Sequence, residues 1–322
     1  MTAEPRLEKL ILEVTNACHH RCIHCSTSGG LPIPGELTQQ ERLRVLKEAC
    51  DLGLLDLRLL GGDPLFRLDE TVELLAEANT RGVQKALVCT SAVESDLSWL
   101  EAFASFRPIK LSAEASIYSA SASVHDAITL NKGSLDRLLA NSYEAVRVGF
   151  DLNWNFVWMK PNFHALESVM ALAAQVGIKR VRVLRLMLNG RARDHQSTLE
   201  LSSEMANLCR QIIGDSLSLK FPTVDLAHSK PLAFQLSRGV RDHTTSCSAG
   251  GAQLVVQADG VVLPCVGLKD TPSLRIGDVR EEHLRQIFLR SRHMHFGRMA
   301  NEFHECPAIL YQQQPNLIQV SL

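Results

Sequence analysis

The sequence predicts an α/β fold, a partial (β/α)6 barrel followed by a small C-terminal unit of one β-hairpin and a helix. Three observations lead to this expectation. Apolar strand-like runs alternate with amphipathic helix-like segments over roughly 180 residues, a rhythm typical of parallel β/α units. Glycine-rich or polar breaks follow several of these runs. Six units fall short of the eight that close a full barrel, so we expect an open barrel.

The predicted elements follow one another in a regular order. The first strand is the apolar run at residues 10–14, and Thr38 with Glu41 forms a capping-box pattern that opens the first helix. The other predicted barrel strands are residues 57–60, 86–90, 109–118, 151–159 and 181–187. The other predicted helices are residues 69–81, 95–104, 134–148, 164–176 and 196–212.

A change in composition separates the predicted barrel from the C-terminal unit. Residues 214–246 combine prolines, a glycine and mixed charge, which is typical of a connection. We therefore expect a TIM-like partial barrel over residues 1–213, and a connection plus second domain over residues 214–322. In that domain Asp259-Gly260 lies between two apolar runs, which is a strong hairpin signal, and a helix is predicted over 281–292.

Composition and charge exclude several classes of protein. The 322 residues are 45% apolar, enough for a large hydrophobic core. The 34 basic and 35 acidic side chains nearly balance, which argues against nucleic acid or an anionic membrane as main partner. There is no secretory signal pattern and no apolar run near the ~18 residues that span a bilayer. We therefore expect a cytoplasmic protein whose nine cysteines serve metal or redox chemistry rather than disulfides.

The most informative motif is a group of three cysteines directly after the first predicted strand. Cys18, Cys22 and Cys25 have the spacing C-x3-C-x2-C and can converge on one inorganic centre. A four-iron cluster normally takes four thiolates, so three would leave one iron open to a bidentate small molecule. The alternative is a tetrahedral zinc site completed by a histidine of the same loop.

This motif, at the end of the first strand of a β/α series, resembles that of the radical S-adenosylmethionine (SAM) superfamily over residues 8–190. The resemblance implies that the three cysteines hold a [4Fe-4S] cluster whose open iron binds the amino and carboxylate groups of SAM. One electron then cleaves SAM to methionine and a 5′-deoxyadenosyl radical, which takes a hydrogen atom from the substrate. An electron donor such as flavodoxin or ferredoxin is also implied.

Further residues match the family's SAM-contacting positions. Gly61, Gly62, Asp63 and Pro64 resemble the Gly-Gly-Glu-Pro motif that binds the methionyl ammonium, with an aspartate one methylene shorter than the usual glutamate. His24 stands where the family usually has an aromatic residue near the adenine. The other candidate SAM contacts, on the fourth to sixth predicted strands, are Ser112, Ser116, Asn155 and Arg185. The alternative for His24 is a solvated loop histidine. For the others it is an ordinary turn or a polar contact within the barrel.

A second group of cysteines surrounds the predicted hairpin. Cys247, Cys265 and Cys306 resemble the Twitch or SPASM extension of radical SAM enzymes, which carries an auxiliary [4Fe-4S] cluster. A full SPASM pattern has seven cysteines, so the shorter Twitch pattern is the expectation, although Ile309 stands where a terminal C-x2-C needs cysteine. Structural free cysteines and a zinc site are the alternatives. The candidates for the fourth ligand are His304, Glu305, a remote cysteine or the substrate.

The three remaining cysteines are single. Cys50 and Cys209 lie on apolar helix stripes, so we expect them to pack in the core as small hydrophobic residues. Cys89 lies at the carboxyl end of the third predicted strand. There it is a candidate hydrogen-atom donor to a substrate radical, which would make the enzyme an epimerase; its alternative is barrel packing.

Three functions follow from these patterns. The first is a radical SAM epimerase or oxidoreductase that epimerises or dehydrogenates a carbohydrate-like or other natural product, because Twitch enzymes of similar size act on aminoglycoside precursors. The second is epimerisation or crosslinking of a ribosomal peptide. We expect it less, because Cys18 leaves no room before it for a leader-binding domain. The third is a zinc-stabilised binding module without catalytic activity.

Overall fold

A computed structural model describes residues 5–214, 217–229, 231–233, 247–294 and 296–313. Its strands are β1 (Lys9–Thr15), β2 (Asp56–Gly61), β3 (Lys85–Thr90), β4 (Lys110–Ser116), β5 (Leu152–Trp158), β6 (Arg180–Arg185), β7 (Asp225–His228), β8 (Gln253–Val256), β9 (Val261–Leu263) and β10 (Gly277–Asp278). Its helices are α1 (Gln39–Asp51), α2 (Leu68–Thr80), α3 (Ser98–Ala104), α4 (Ala122–Thr129), α5 (Ser134–Arg147), α6 (Leu166–Val176), α7 (Arg191–Asp194), α8 (Gln196–Leu199), α9 (Ser203–Gly214), α10 (Leu217–Lys220), α11 (Leu284–Ser291), α12 (Phe296–Phe303) and α13 (Pro307–Gln313).

The strands form one sheet in the order β10-β9-β8-β1-β2-β3-β4-β5-β6-β7. Strands β1 to β7 are parallel, and each pairs with the next strand along the chain. Parallel neighbours require a crossover connection, and helices provide most of these crossovers. The predicted fold class, an open series of β/α units followed by a small C-terminal unit, is confirmed.

The structure adds a seventh parallel strand to the six predicted ones. Strand β7 lies in the stretch 214–246 that the sequence analysis treats as a connection, and it pairs with β6. The C-terminal hairpin is not a separate sheet, because β8 pairs in parallel with β1 and so extends the barrel sheet. The pairing covers the edge of β1, which would otherwise leave its N–H and C=O groups unpaired. The domain boundary at residue 213 stays a prediction.

Local signals at the helix ends are confirmed at one position and corrected at another. The Thr38 hydroxyl accepts a hydrogen bond from the Glu41 N–H at 3.2 Å, and the Glu41 carboxylate accepts from the Thr38 N–H at 2.7 Å. The single helix predicted over 196–212 is in fact two helices, α8 and α9. The hydroxyl of Ser202 accepts a hydrogen bond from the Met205 N–H at 3.2 Å, and so starts a new helix there.

The two faces of the barrel strands differ in polarity. Side chains such as Leu57, Val88 and Trp154 are fully buried in the core cluster that also contains helix residues. Alternate residues point to the opposite face of a strand, and there the barrel interior carries charged and polar groups, among them Glu114. This polar interior opens toward the carboxyl ends of the strands. No helix among the described residues is both long and apolar enough to cross a membrane.

Candidate functional site

The carboxyl ends of the first three strands bring three loops together. The Gly62 N–H donates to the Thr15 carbonyl, and the Asp63 N–H donates to the Ala17 carbonyl, both at 2.7 Å. The turn after β2 therefore lies against the loop after β1. The Asp63 carboxylate in turn accepts a hydrogen bond from the Ser91 N–H, just after β3, at 2.8 Å.

The end of β2 lies so close to the end of β1 that positions 61 and 62 have no room for a side chain, which explains why both are glycine. Gly61 has φ +127°, and a Cβ on it would lie 2.2 Å from the Thr15 carbonyl oxygen. A Cβ on Gly62 would lie 2.2 Å from the carbonyl oxygen of Ala17. Asp63 is fully buried, and its second oxygen caps the following turn by accepting from the Leu65 N–H at 3.1 Å. A SAM-binding role for residues 61–64, Pro64 included, stays a prediction. Because both oxygens of the Asp63 carboxylate already accept hydrogen bonds within the protein, the backbone of this turn would have to make the contacts with SAM.

Backbone N–H groups point at two thiols of the first cysteine loop. The His20 N–H lies 3.3 Å from the Cys18 sulfur, and the Gly29 N–H lies 3.3 Å from the Cys25 sulfur. Burial raises the pKa of Cys18 to about 12 and raises the pKa of Cys22 as well. Thiolates in such surroundings need a positive centre beside them, and an iron–sulfur cluster supplies one.

An arginine that sequence reasoning missed holds this loop in place. The Arg191 backbone N–H donates to the Cys25 carbonyl at 3.1 Å. The Arg191 guanidinium donates to the Cys22 carbonyl at 2.9 Å and to the Gly29 carbonyl at 2.7 Å. Three carbonyls of one loop thus accept hydrogen bonds from one residue at the start of α7, two from its side chain and one from its backbone. The sequence around Arg191 does not distinguish it from Arg193, which lies two residues later in the same helix.

Unpartnered imidazole nitrogens mark a space beside the first cysteine group. His24 is buried, and its ring meets the edge of the Tyr118 ring at a centroid distance of 4.6 Å. Burial lowers the pKa of His24 to about 3, and so its imidazole is neutral. His24 Nδ1, His20 Nε2 and His125 Nε2 are buried without a hydrogen-bond partner in the described part of the chain. Buried polar atoms normally have partners, and a polar ligand such as SAM would supply the ones that these nitrogens lack.

The zinc alternative and an iron–sulfur cluster need different arrangements of the thiols. A zinc site needs its ligands to converge within about 2.3 Å of one ion. Within the described ranges, no group of three His, Cys, Asp or Glu side chains converges on a single metal ion. A four-iron cluster places its thiolates on different irons, and so it accepts a wider spacing of cysteines.

A polar network fills the barrel interior below these loops. The Asn155 side chain donates to Glu114 at 2.9 Å, and the Arg182 guanidinium forms an ion pair with the same carboxylate. The Cys89 sulfur lies 3.9 Å from this carboxylate, and burial raises the Cys89 pKa to about 12. Asn155, predicted to contact SAM, is thus engaged within the barrel. Glu114 was not predicted as a site residue from the sequence. The signal that could have indicated it is a charged residue within strand β4.

The predicted serines frame this network. Ser112 and Ser116 lie two residues before and after Glu114 on β4, so both share its face of the strand. Both are half-buried. Their predicted contact with SAM stays a prediction.

The structure brings the second cysteine group together as well. Burial raises the pKa of Cys265 to about 12, and the neighbouring thiols Cys306 and Cys247 act on it in the same direction. Burial also raises the pKa of Cys306 to about 11, although N–H groups at the start of α13, including that of Ile309, lower it. The three cysteines therefore lie within electrostatic reach of one another, as an auxiliary cluster requires.

The candidates for a fourth ligand differ in their surroundings. His304 is exposed and has φ +49°. Glu305 is buried, and its carboxylate accepts from the Arg185 guanidinium at 3.0 Å and from the Cys306 N–H at 2.8 Å. Arg185, predicted to contact SAM, thus bonds to the residue directly before Cys306. Its role toward SAM stays a prediction.

A buried ion pair, also missed from the sequence, joins the two cysteine regions. Lys269, four residues after Cys265, pairs with Glu13 at the end of β1, and their side chains are only 5% and 6% exposed. We expect Lys269→Met to lower the free energy of unfolding by about 3–5 kcal/mol, because it leaves the Glu13 carboxylate buried and unpaired. Denaturant unfolding of the cluster-free chain measures this change.

Two further variants make the ion-pair prediction specific. Adding Glu13→Leu to Lys269→Met is expected to restore most of the lost stability, because two apolar groups then replace both charges. Lys220→Met removes a Lys–Glu pair with Glu167 whose side chains are 58% and 56% exposed, and it should cost less than about 1 kcal/mol. Equal losses for Lys269→Met and Lys220→Met would contradict the prediction.

A cavity of about 790 Å³ lies between the end of β6, helices α7 to α9 and helix α13. Arg193 of α7 lines it, two residues after the arginine that holds the first cysteine loop. Ile309 and Tyr311 of α13 line the opposite wall, close to Cys306. Asp270 and Pro272, which follow Cys265 along the chain, line it as well, so the cavity lies beside the second cysteine group. Sequence reasoning did not anticipate it.

Two family profiles match the chain. The radical SAM superfamily profile matches residues 12–173, which is half of the chain. The SPASM profile, described as an iron–sulfur cluster-binding domain, matches residues 247–308. This second match contains all three C-terminal cysteines, so the SPASM description replaces the Twitch pattern that the cysteine count favoured.

Several relatives cover most of the chain. The PqqA peptide cyclase of Ruegeria pomeroyi is 27% identical over 284 residues, 87% of this chain and 73% of the relative. That of Rhizobium meliloti is 28% identical over 288 residues, 88% of this chain and 73% of the relative. These relatives do not support the expected resemblance to aminoglycoside-type epimerases and dehydrogenases.

Solved structures show the same fold. Streptococcus suis SuiB bound to precursor peptide SuiA has a TM-score of 0.76 and 16% identity, over 96% of this chain and 73% of that chain. SuiB bound to SAM has a TM-score of 0.70 and 17% identity, over 88% of this chain and 65% of that chain. The chain belongs to the radical SAM superfamily, whose cofactors are SAM and a [4Fe-4S] cluster, and it carries a C-terminal SPASM domain for auxiliary iron–sulfur binding.

Proposed function

We propose that this enzyme modifies a ribosomally made peptide, forming a crosslink within it. The observation that carries the proposal is the match to PqqA peptide cyclases over 87% of the chain. SuiB, whose fold this chain shares, was solved with its precursor peptide. The peptide therefore replaces the carbohydrate-like substrate as the main expectation.

In this proposal the first cysteine group holds the SAM-binding cluster. Cys18, Cys22 and Cys25 are its ligands, and Arg191 keeps their loop in one conformation through three carbonyls. His24 offers an unpartnered, neutral imidazole to the adenosyl part of SAM. When bound, the cluster supplies the electron that cleaves SAM to the 5′-deoxyadenosyl radical. We propose a flavodoxin or ferredoxin as the source of that electron.

The remaining candidates complete the two binding sites. We assign the auxiliary cluster to Cys247, Cys265 and Cys306, of which Cys306 is buried and the other two are half-buried. The other candidate SAM contacts are Gly61, Gly62, Asp63, Pro64, Ser112 and Ser116.

The cavity beside helix α13 is the proposed peptide site. Its volume of about 790 Å³ suits a few side chains of an extended peptide. Arg193 and Asp270, an ion pair at 3.4 Å, line it and offer charges of both signs to a polar main chain. Tyr311 and Ile309 provide an apolar surface for a side chain on the opposite wall.

Incubation with a candidate precursor peptide tests the proposal. The reconstituted chain, supplied anaerobically with SAM and a reductant, should form 5′-deoxyadenosine and a peptide lighter by two hydrogen atoms. That loss follows because one hydrogen atom goes to the 5′-deoxyadenosyl radical. The second would leave as a proton, and its electron would pass to the auxiliary cluster as the two carbon centres join. Liquid chromatography with mass spectrometry measures both products. Peptide whose mass is unchanged in ordinary water, but rises by one carbon-bound deuterium in deuterated water, would indicate epimerisation and contradict crosslinking.

Epimerisation is the second candidate reaction, and Cys89 favours it. Its thiol stays protonated at neutral pH because burial raises its pKa to about 12. A thiol at the carboxyl end of a barrel strand can return a hydrogen atom to a substrate radical. Cys89→Ala should abolish stereochemical inversion while SAM cleavage persists, if epimerisation is the reaction. Crosslinking needs no such donor, and so the same variant should keep the crosslinked product.

A further inference from the structure

A buried ion pair connects the peptide cavity to the second cysteine group. Arg185, the last residue of β6, lines the cavity and donates to Glu305 at 3.0 Å. The two side chains are 13% and 9% exposed. Glu305 directly precedes Cys306, 120 positions after Arg185.

The same carboxylate oxygen holds the backbone of the cysteine. Glu305 Oε1 accepts from the Arg185 guanidinium and, at 2.8 Å, from the Cys306 N–H. The guanidinium of Arg185, the carboxylate of Glu305 and the N–H of Cys306 thus form a continuous hydrogen-bonded series that ends at a cysteine of the second group. Both charges are largely out of water, where they act on a nearby charge more strongly than surface charges do.

We propose that Arg185 and Glu305 are a positioning pair that fixes Cys306 and sets the reduction potential of the auxiliary cluster. This inference rests on the proposed assignment of Cys247, Cys265 and Cys306 to that cluster. The potential of an iron–sulfur cluster depends on net charge, on hydrogen bonds near its sulfurs and on solvent exposure. The pair places two buried charges beside Cys306, and Glu305 also accepts a hydrogen bond from the Cys306 backbone N–H.

Two other roles for these residues fit the contacts less well. Glu305 as a direct fourth ligand would have to bind through a carboxylate whose Oε1 is already engaged by Arg185 and by the Cys306 N–H. Arg185 as a SAM contact would have to leave Glu305 and expose a buried carboxylate without its partner.

The proposal predicts shifts of opposite sign. Reduction adds one electron, and so one negative charge, to the cluster. Arg185→Gln removes a nearby positive charge and should lower the potential. Glu305→Gln removes a negative charge, keeps a side-chain oxygen as acceptor for the Cys306 N–H and should raise the potential. The double variant should return toward the parent value, because the two changes oppose each other.

The experiment is a redox titration followed by electron paramagnetic resonance. The full chain is reconstituted with iron and sulfide in a background where Cys18, Cys22 and Cys25 are alanine, so that the auxiliary cluster alone gives the signal. Iron content is measured for every variant. Opposite shifts for Arg185→Gln and Glu305→Gln support the proposal; shifts of the same sign, or none, overturn it.

The chain offers a matched control pair. Arg280 of the C-terminal unit pairs with Glu41 of α1 at 2.7 Å, and their side chains are 36% and 27% exposed. Arg280→Gln and Glu41→Gln should leave the potential unchanged, because water screens these charges. Shifts as large as those at Arg185 and Glu305 would overturn a specific role for the buried pair.

Additional variants separate failure of the inference from failure of the proposed cluster. If the parent background binds no iron, the assignment of the three cysteines is wrong and the inference fails with it. If both glutamine variants lose iron while the parent keeps it, Arg185→Lys decides. Lysine retains the charge, so an iron content and potential near those of the parent support the proposal. Loss of iron in this variant too overturns the role in setting the potential.

Discussion

Cys18→Ala is expected to abolish SAM cleavage. The variant removes one of three proposed ligands of the first cluster, and no other cysteine lies in that loop to replace it. Loss of a hydrogen-bonded neighbour of a metal ligand costs up to about 100-fold, so loss of the ligand itself should exceed that. The rate of 5′-deoxyadenosine formation under anaerobic reducing conditions measures the effect, and iron content should fall as the first cluster is lost.

Cys50→Ala is the matched control for this prediction. Cys50 is half-buried on α1 and packs against the core, away from the strand ends that carry the first cysteine loop. Its replacement should leave the iron content and the rate of SAM cleavage near the parent values. A Cys18→Ala variant that cleaves SAM as fast as Cys50→Ala would contradict the assignment of the first cluster.

Gly62→Ala is expected to displace the same loop without removing a ligand. The new Cβ would lie 2.2 Å from the Ala17 carbonyl oxygen and 2.4 Å from that of Asn16. Both obstacles are backbone atoms, so a side-chain rotation cannot relieve the clash. Overpacking of this kind costs about 1–3 kcal/mol and occasionally more. We expect a loss at the upper end of this range, measured by denaturant unfolding of the cluster-free chain.

The displacement should also reach the cofactor. Ala17 directly precedes Cys18, and its carbonyl accepts the hydrogen bond from the Asp63 N–H that joins the two loops. We therefore expect Gly62→Ala to lose iron from the first cluster as well as stability. Gly251→Ala is the control, because its nearest heavy atom would be 3.9 Å away. If Gly62→Ala were as stable as Gly251→Ala and bound as much iron, this account of the glycine pair would be wrong.

The sequence predicted the features that depend on neighbouring residues. The capping box at Thr38 and Glu41 spans four residues, and the hairpin at Asp259-Gly260 needs one turn between two apolar runs. The alternation of strands and helices likewise follows from patterns within each segment. Such patterns can be recognised in the sequence because the interacting groups are only a few residues apart along the chain.

The sequence did not predict other features, because they depend on contacts between segments that are far apart along the chain. Strand β7 lies in a stretch of mixed composition, and its place in the sheet follows from pairing with β6. The hairpin looked independent, although β8 completes the edge of β1. The break between α8 and α9 was missed because the apolar pattern continues across Ser202, whose side chain caps the second helix.

By itself, the sequence determined what kind of chemistry this protein supports. Three thiols within eight positions are held together by chain connectivity, so Cys18, Cys22 and Cys25 indicated a cluster before any fold was known. Only the tertiary structure decided which charges surround the cofactors. Glu13 and Lys269 are 256 positions apart, and the Arg185–Glu305 pair also crosses from the barrel to the C-terminal unit. Such pairs are decided by docking and burial, because a charge leaves water only where packing brings it a partner.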